Sequence, residues 1–598
     1  MSDSSGDTFG SFKDLAKALG RGAQQGGDDG ADSDDDASEL EDRGWTLERA
    51  DEGEDLEPLG DYVYSGETVR QRIDARPSAD GPMTSGPACY RDEDSDELAL
   101  LRSFRIRTRF PDDVMREVGA LGRDPVEADW QGRLDLRDRV IFTIDGADAK
   151  DFDDAISIEV LDDGHVELGV HIADVGHYVQ PGTALDDEAL ARATSVYLPD
   201  QVVPMLPHEL SDELCSLVAR RPRLAYSVFM VFDAKGRRVD SRVAKSVIES
   251  KHRTTYAQVQ DLLDGKDTEA AREIAYLRDE LQRLSDWTRR QQQIRDAKGS
   301  LRMQSSEQKF VFDANGNVER VVEAARYFSQ TLIEETAIAA NQAVGDLFRA
   351  KGLPAIYRVH LEKDAEEIEA LRATLEKYGI RVPEKDRLTG QDIGHLIRVA
   401  RRKPNAEALI QRIMGLVERA SYEIGDPEQI ATHFGLAREF YLHFTSPIRR
   451  YPDLIVHRWL WAIESREDEA SDELRSHEFL ADLADTAAHC SVKSEVAEET
   501  ERSMKRLKIC QLMSGHIDER LDAKVIRVSR FGVDVHLPAY NVPGFIPTRV
   551  IGSRPRVEGS TLTISKGKRL LSFTEGYPIA VVVRSVDFIL LQVLLELP

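Results

Sequence analysis

The stretch "VIFTIDGADAKDFDDAISIEV", residues 140–160, decides how this chain is read. Two runs with β-strand character bracket a loop that carries four aspartates within ten positions: Asp145, Asp151, Asp153 and Asp154. Paired aspartates alone say little here, because Asp-Asp also occurs at 28/29, 112/113, 162/163 and 186/187, where solvated turns and faces explain it. The loop differs because apolar strands flank it directly, which puts it at the end of buried strands. Two carboxylates about 6 Å apart at an effective dielectric of about 20 repel by roughly 3 kcal/mol. Four of them must protonate, spread apart or bind a cation.

Ala147 and Ala149 break the alternating oxygen ligands that a calcium loop needs. Carboxylates without His or Cys suit hard Mg²⁺ or Mn²⁺, ions that hold phosphate oxygens and a nucleophilic water.

Around the loop, residues 106–512 pass from strand-rich segments ("RVIFTI", "HVELGVHIADV", "LAYSVFMVFD") to helical periodicity ("YFSQTLIEETAIAANQAVGDLFRAKG", "RRYPDLIVHRWLWAIE"). Strands early and helices late predict one large α+β domain rather than repeated βαβ units. From 515 to 598, β-rich runs alternate with Gly/Pro turns, which predicts a small closed β-barrel. Residues 61–105 read as a small or degenerate β region, and residues 1–60 as a disordered acidic tail too poor in apolar side chains to offset the entropy of ordering. The whole is an α+β multidomain chain, as 598 residues require.

The four cysteines, Cys89, Cys215, Cys490 and Cys510, form no C-x-x-C pair, and no run approaches the ~18 apolar residues of a membrane span. These features predict a soluble cytoplasmic protein with no membrane partner. The net charge of −29 argues against a polyanionic partner, but the charge is uneven. Residues 1–60 hold 18 acidic against 5 basic side chains, whereas 515–598 hold 8 against 11. Basic segments such as "ARRPR" (219–223), "ESKHR" (249–253) and "RVARRKP" (398–404) are candidates for a channel lining within the acidic chain.

Two further motifs, "HIADVGHYVQPGTALDDEALARATSVYLPDQVVPMLPHELSDELCSL" (171–217) and "HFGLAREFYLHFTSPIRRYPDLIVHR" (433–458), follow the aspartate loop. In order and spacing, residues 106–512 closely resemble the catalytic domain of the ribonuclease II / ribonuclease R family, more the ribonuclease R branch, and the C-terminal barrel resembles its S1 domain. The resemblance implies a Mg²⁺-dependent, processive 3′-to-5′ exoribonuclease, Mn²⁺ substituting, that acts as a monomer on single-stranded RNA and releases nucleoside 5′-monophosphates. It makes Asp145, Asp151, Asp153 and Asp154 the metal site and Arg449 the neutraliser of the scissile phosphate, with Arg450 in a structural role. Tyr197 matches an aromatic that stacks on the last base, Tyr256 one that contacts RNA near the 3′ end, and Glu334 and Glu501 glutamates near the substrate. By residue type alone, each tyrosine belongs more often to a core than to a contact, and for both glutamates a solvated helix face is the alternative.

Met303 stands where the family usually carries a clamp phenylalanine, so the grip on the terminal bases is expected to differ. In the barrel, Phe531 and Phe545 are either stacking residues beside Lys524, Arg527 and Arg530 or barrel core. A reduced N-terminal region shifts RNA capture toward this barrel, and the acidic tail is a candidate site for a protein partner. The alternative is a catalytically silent RNA-binding regulator that keeps the fold; its signature would be loss of the aspartates, and all four are present.

Overall fold

The computed structural model describes residues 94–598 apart from 299, 301–306, 361–364, 386–387, 389, 404–405, 416–419 and 426–431. The tail 1–60, the segment 61–93 and Met303 lie outside the described residues. Within the segment read as a β region, Ser95–Ser103 is instead a helix (α1). Asp96 and Glu97 occupy its first turn, where the helix dipole favours acids, and Leu98 and Leu101, three apart, are buried together.

The centre is a seven-stranded mixed sheet of β1 (Leu134–Asp135), β2 (Phe142–Asp145), β3 (Asp154–Val160), β4 (Val166–Ala173), β5 (Pro222–Phe232), β6 (Arg238–Glu249) and β7 (His252–Thr255). Its order is β1-β6-β5-β4-β3-β2-β7, with parallel pairing only at the edges, β1 with β6 and β2 with β7. In register, Ile156 and Ile158 of β3, Leu168, Val170 and Ile172 of β4 and Tyr226, Val228 and Met230 of β5 share one apolar face. The opposite face carries a buried polar row: His171 lies 3.0 Å from Ser157 Oγ and 2.7 Å from Ser227 Oγ, and Ser227 lies 2.7 Å from Ser246 Oγ. Burial pushes His171 down to about 3, so it is neutral there.

Helices α2 (Arg278–Lys298) and α3 (Phe328–Ala350) pack on the sheet. Gly345 of α3 permits close approach, since a Cβ there would sit 2.0 Å from the Phe440 carbonyl oxygen. Helix α4 (Tyr451–Ser465) sets His457 edge-on to Tyr226. The 38-residue helix α5 (His477–Ser514) extends about 57 Å at ~1.5 Å per residue and links the domains. Its Ala497, Met504 and Leu507 join Leu98, Leu100 and Leu101 of α1 and Val196, Leu198 and Val203 of a short hairpin in one apolar cluster, while Ile509 and Met513 enter the barrel core.

The C-terminal barrel closes in the order β8 (Arg520–Val528), β9 (Gly532–Leu537), β10 (Val542–Pro547), β12 (Gln592–Glu596), β11 (Pro578–Asp587). A three-stranded sheet, Ser553–Glu558, Thr561–Lys566 and Arg569–Thr574, is inserted between β10 and β11. No helix among the described residues is long and apolar enough to cross a membrane.

Candidate active site

The aspartate loop joins β2 to β3, so Asp145 ends one strand and Asp154 begins the next. Two side chains fix its path. Arg253 Nη2 lies 2.9, 2.6 and 3.4 Å from the carbonyl oxygens of Gly146, Ala147 and Ala149. Ser216 Oγ donates to the Lys150 carbonyl (2.6 Å) and accepts the Phe152 N–H (3.0 Å). Sequence reading missed both roles: Arg253 sits in a segment noted only for its charge, and Ser216 lies 64 positions from Phe152.

Asp153 is buried, and its Oδ1 accepts the Ile448 N–H at 2.9 Å. That bond brings in the segment 446–450, where Arg449 Nε lies 3.4 Å from Asp153 Oδ2 and Arg449 Nη2 donates to Ser446 Oγ. Arg449 is 41% exposed, so part of its guanidinium is open to an anion. Arg450 is the structural partner of the pair, forked onto buried Asp453 at 2.9 and 2.8 Å. A strap holds this segment from the other side: Ser195 N–H donates to the Arg449 carbonyl (3.0 Å) and Tyr451 N–H to the Ala193 carbonyl (2.9 Å). Ala193 adopts a left-handed φ of 59° that ends the preceding helix and turns the strap toward Arg449.

The strap continues into the hairpin that carries Tyr197. The Tyr197 hydroxyl donates to Asp151 Oδ2 at 3.3 Å, and its N–H donates to Glu501 Oε1 of α5 at 2.9 Å. Glu501 thus positions Tyr197 rather than lying on a solvated face. Tyr256 opens the helix Tyr256–Leu263, and the negative charges of Asp145 and Asp154 reinforce burial in raising its pKa. Glu334 stands apart, 45% exposed on α3 and 3.5 Å from Arg295, whose buried partner at 3.0 Å is Glu335. On the barrel, Phe531 is 65% exposed and Phe545 half-buried, so neither fills the core. The Phe545 ring lies across Gly532, where a Cβ would meet its Cζ at 2.4 Å, and the Arg530 guanidinium sits 4.7 Å above Phe531.

Burial drives all four carboxylates upward: Asp145 is pushed up to about 8, with repulsion from Asp154 and Asp151 added, and Asp154 to about 6, while Asp151 and Asp153 also rise, the last three against an opposing pull from Arg449. Asp145 Oδ2 and Asp153 Oδ2 are buried without a hydrogen bond. Such oxygens fit a hard divalent cation, which would supply the missing partner. Among the described residues no group of three or more His, Cys, Asp or Glu side chains forms a ready metal cage.

Residues 133–466 match the RNB domain and residues 516–586 the S1 RNA binding domain. The chain belongs to the RNB family. It is 40% identical over 438 residues to Ribonuclease R of Thermotoga maritima, covering 73% of this chain and 61% of that protein. It therefore spans under two thirds of that relative's length. A solved structure, Mycoplasma genitalium RNase R in complex with ribose methylated single-stranded RNA, superposes with a TM-score of 0.73 at 26% identity, over 84% of this chain and 78% of that one. Yeast Ssd1, a pseudonuclease, shares the fold at a TM-score of 0.56 and 19% identity, over 74% of this chain and 54% of that one.

Proposed function

We propose that this protein is a 3′-to-5′ exoribonuclease that hydrolyses single-stranded RNA with Mg²⁺, or Mn²⁺ in its place, and releases nucleoside 5′-monophosphates. The observation that carries this reading is the buried aspartate group with two carboxylate oxygens that accept no hydrogen bond, faced by a half-exposed arginine and bordered by two tyrosines. Likeness to proteins named Ribonuclease R supports it.

Asp145, Asp151, Asp153 and Asp154 are the residues that would hold the metal. A bound divalent ion supplies charge neutralisation and an activated water for phosphodiester cleavage. Arg449 faces the scissile phosphate, and its contact with Asp153 orients the guanidinium before substrate arrives. Tyr197 presents a ring for the terminal base while Asp151 and Glu501 fix its two ends. Phe531, in the turn before β9, and Phe545, on β10, give the barrel aromatic groups in the region through which such barrels bind oligonucleotides. RNA would be captured there and threaded to the aspartates.

The test is incubation of 5′-labelled single-stranded RNA with the full chain and Mg²⁺, beside Asp153→Asn. Shortening from the 3′ end that disappears in the variant is the expected result. Binding without cleavage by either protein would instead favour the silent regulator, the role that a pseudonuclease with this fold makes concrete.

A further inference from the structure

Behind the strap lies a cleft that the chemistry above does not use. It is lined by Arg105 and Arg107 from the segment after α1, by Arg192, by Lys493 of α5, and by Thr194 and Val196 of the strap. Two of these four cations meet one buried carboxylate there. Glu188, fully buried, accepts Arg107 Nε and Nη2 at 2.9 and 2.6 Å and Arg192 Nε at 2.8 Å. Arg192 is further occupied by the carbonyls of Pro204 (3.0 Å) and Arg109 (2.7 Å). Among the described residues no hydrogen bond or ion pair engages the side chains of Arg105 or Lys493. Among the described residues the lining of the cleft therefore carries more positive than negative charge.

Two independent features indicate that this excess is held in place. Arg105 has a left-handed φ of 52°, a strained backbone for a side chain with a Cβ, set by the Arg105 N–H to Arg102 carbonyl and Ile106 N–H to Leu101 carbonyl bonds that close α1. Lys493 is half-buried among like charges; desolvation and then Arg107, Arg105 and Arg192 hold it below the usual lysine range. A lysine in that position gains from an anion more than from water.

We propose that this cleft binds a phosphate dianion, either as inorganic phosphate or as the phosphoryl group of a nucleoside monophosphate. Such a group carries about −1.5 to −2 charges at pH 7 and three acceptor oxygens, which suits a net positive cleft with unengaged donors on Arg105 and Lys493. A backbone phosphodiester, with a single charge, would satisfy it less well. The occupant would touch Thr194, whose hydroxyl donates to the Arg449 carbonyl at 3.2 Å, so the site shares the backbone strap but not the Arg449 guanidinium or the aspartates. The site does not depend on the nuclease reading.

Calorimetric titration of the full chain, without divalent metal, with inorganic phosphate and separately with adenosine monophosphate tests this. Saturable one-to-one binding is expected, weakened about tenfold or more by Lys493→Gln and by exposed Arg105→Gln, and unchanged by Arg449→Gln. Thermal melting checks the fold; should Lys493→Gln melt early, Arg105→Gln alone carries the comparison. Tighter binding of the nucleotide assigns the site to a nucleotide, and equal affinities assign it to the phosphoryl group alone. No saturable binding to wild type, binding unaltered in both Gln variants, or loss only in Arg449→Gln overturns the proposal.

Discussion

Asp153 has two differently placed oxygens, and the difference defines what a substitution does. Oδ1 accepts a backbone N–H that docks the Arg449 segment, while Oδ2 is buried without a hydrogen bond. Asn at this position keeps an acceptor for Ile448 and removes the charge. Asp153→Asn is therefore expected to lower the rate of RNA hydrolysis at least about 100-fold while leaving the melting temperature unchanged or raised, since burying a carboxylate costs stability that its 3.4 Å contact with Arg449 only partly offsets. Rates on labelled RNA alongside thermal melts would check it.

The same carboxylates predict a linkage between pH, metal and stability. Asp145 and Asp154 have folded values raised to about 8 and about 6 over an ordinary 3.8. A raised value means that the folded state holds its proton more tightly than the unfolded state. Stability is then full below about pH 4 as far as these groups are concerned, and is lost as pH rises through 6 and 8. A divalent cation replaces the proton, so the gain in melting temperature from Mg²⁺ over a chelator should be larger at pH 8 than at pH 5. An equal gain at both would count against metal binding at these aspartates.

Among the elements, the strap and the entry to α4 place Arg449. Asp453 anchors that entry: it accepts the Ser446 N–H at 2.8 Å and both arms of the Arg450 fork, with its side chain fully buried. Removing it strands a largely buried guanidinium. Asp453→Ala is expected to cost about 3–5 kcal/mol in urea unfolding, and to reduce hydrolysis beyond what the lost stability explains, because the carbonyl of Arg449 leaves its bond to Ser195. Little of this was legible along the chain. Ser195 and Arg449 are 254 positions apart, and no periodicity relates them. Helix α1 escaped reading because nine residues give too few turns for a pattern, and it is stabilised by packing on α5 rather than by its own propensity.

At the scale of the molecule, α5 couples the two domains: Glu501, just past its midpoint, positions Tyr197, and its last turns enter the barrel core. The barrel presents Phe531 to solvent, so its ring contributes little to folding. Phe531→Ala is expected to leave barrel stability within about 0.5 kcal/mol and to weaken single-stranded RNA binding by about 1–3 kcal/mol, the usual worth of a base stacked on an aromatic ring. Filter binding at fixed salt would measure it, and unchanged affinity would place RNA capture elsewhere.

What the sequence determined by itself was everything that depends on local order: the strands around the aspartate loop, the succession of strands and then helices, the turn-punctuated barrel, and the long motifs that carry the family resemblance. Hydrophobic periodicity and turn chemistry act over a few residues, so they can be read along the chain. Tertiary structure alone decided which carboxylate oxygens are buried and accept no hydrogen bond, that Glu501 serves Tyr197 while Glu334 turns to Arg295, that Phe531 faces water, and that four cations line the cleft behind the strap. Those outcomes depend on desolvation and on Coulomb interactions between groups up to 388 positions apart, as Arg105 and Lys493 are, and such interactions exist only once the chain has closed on itself.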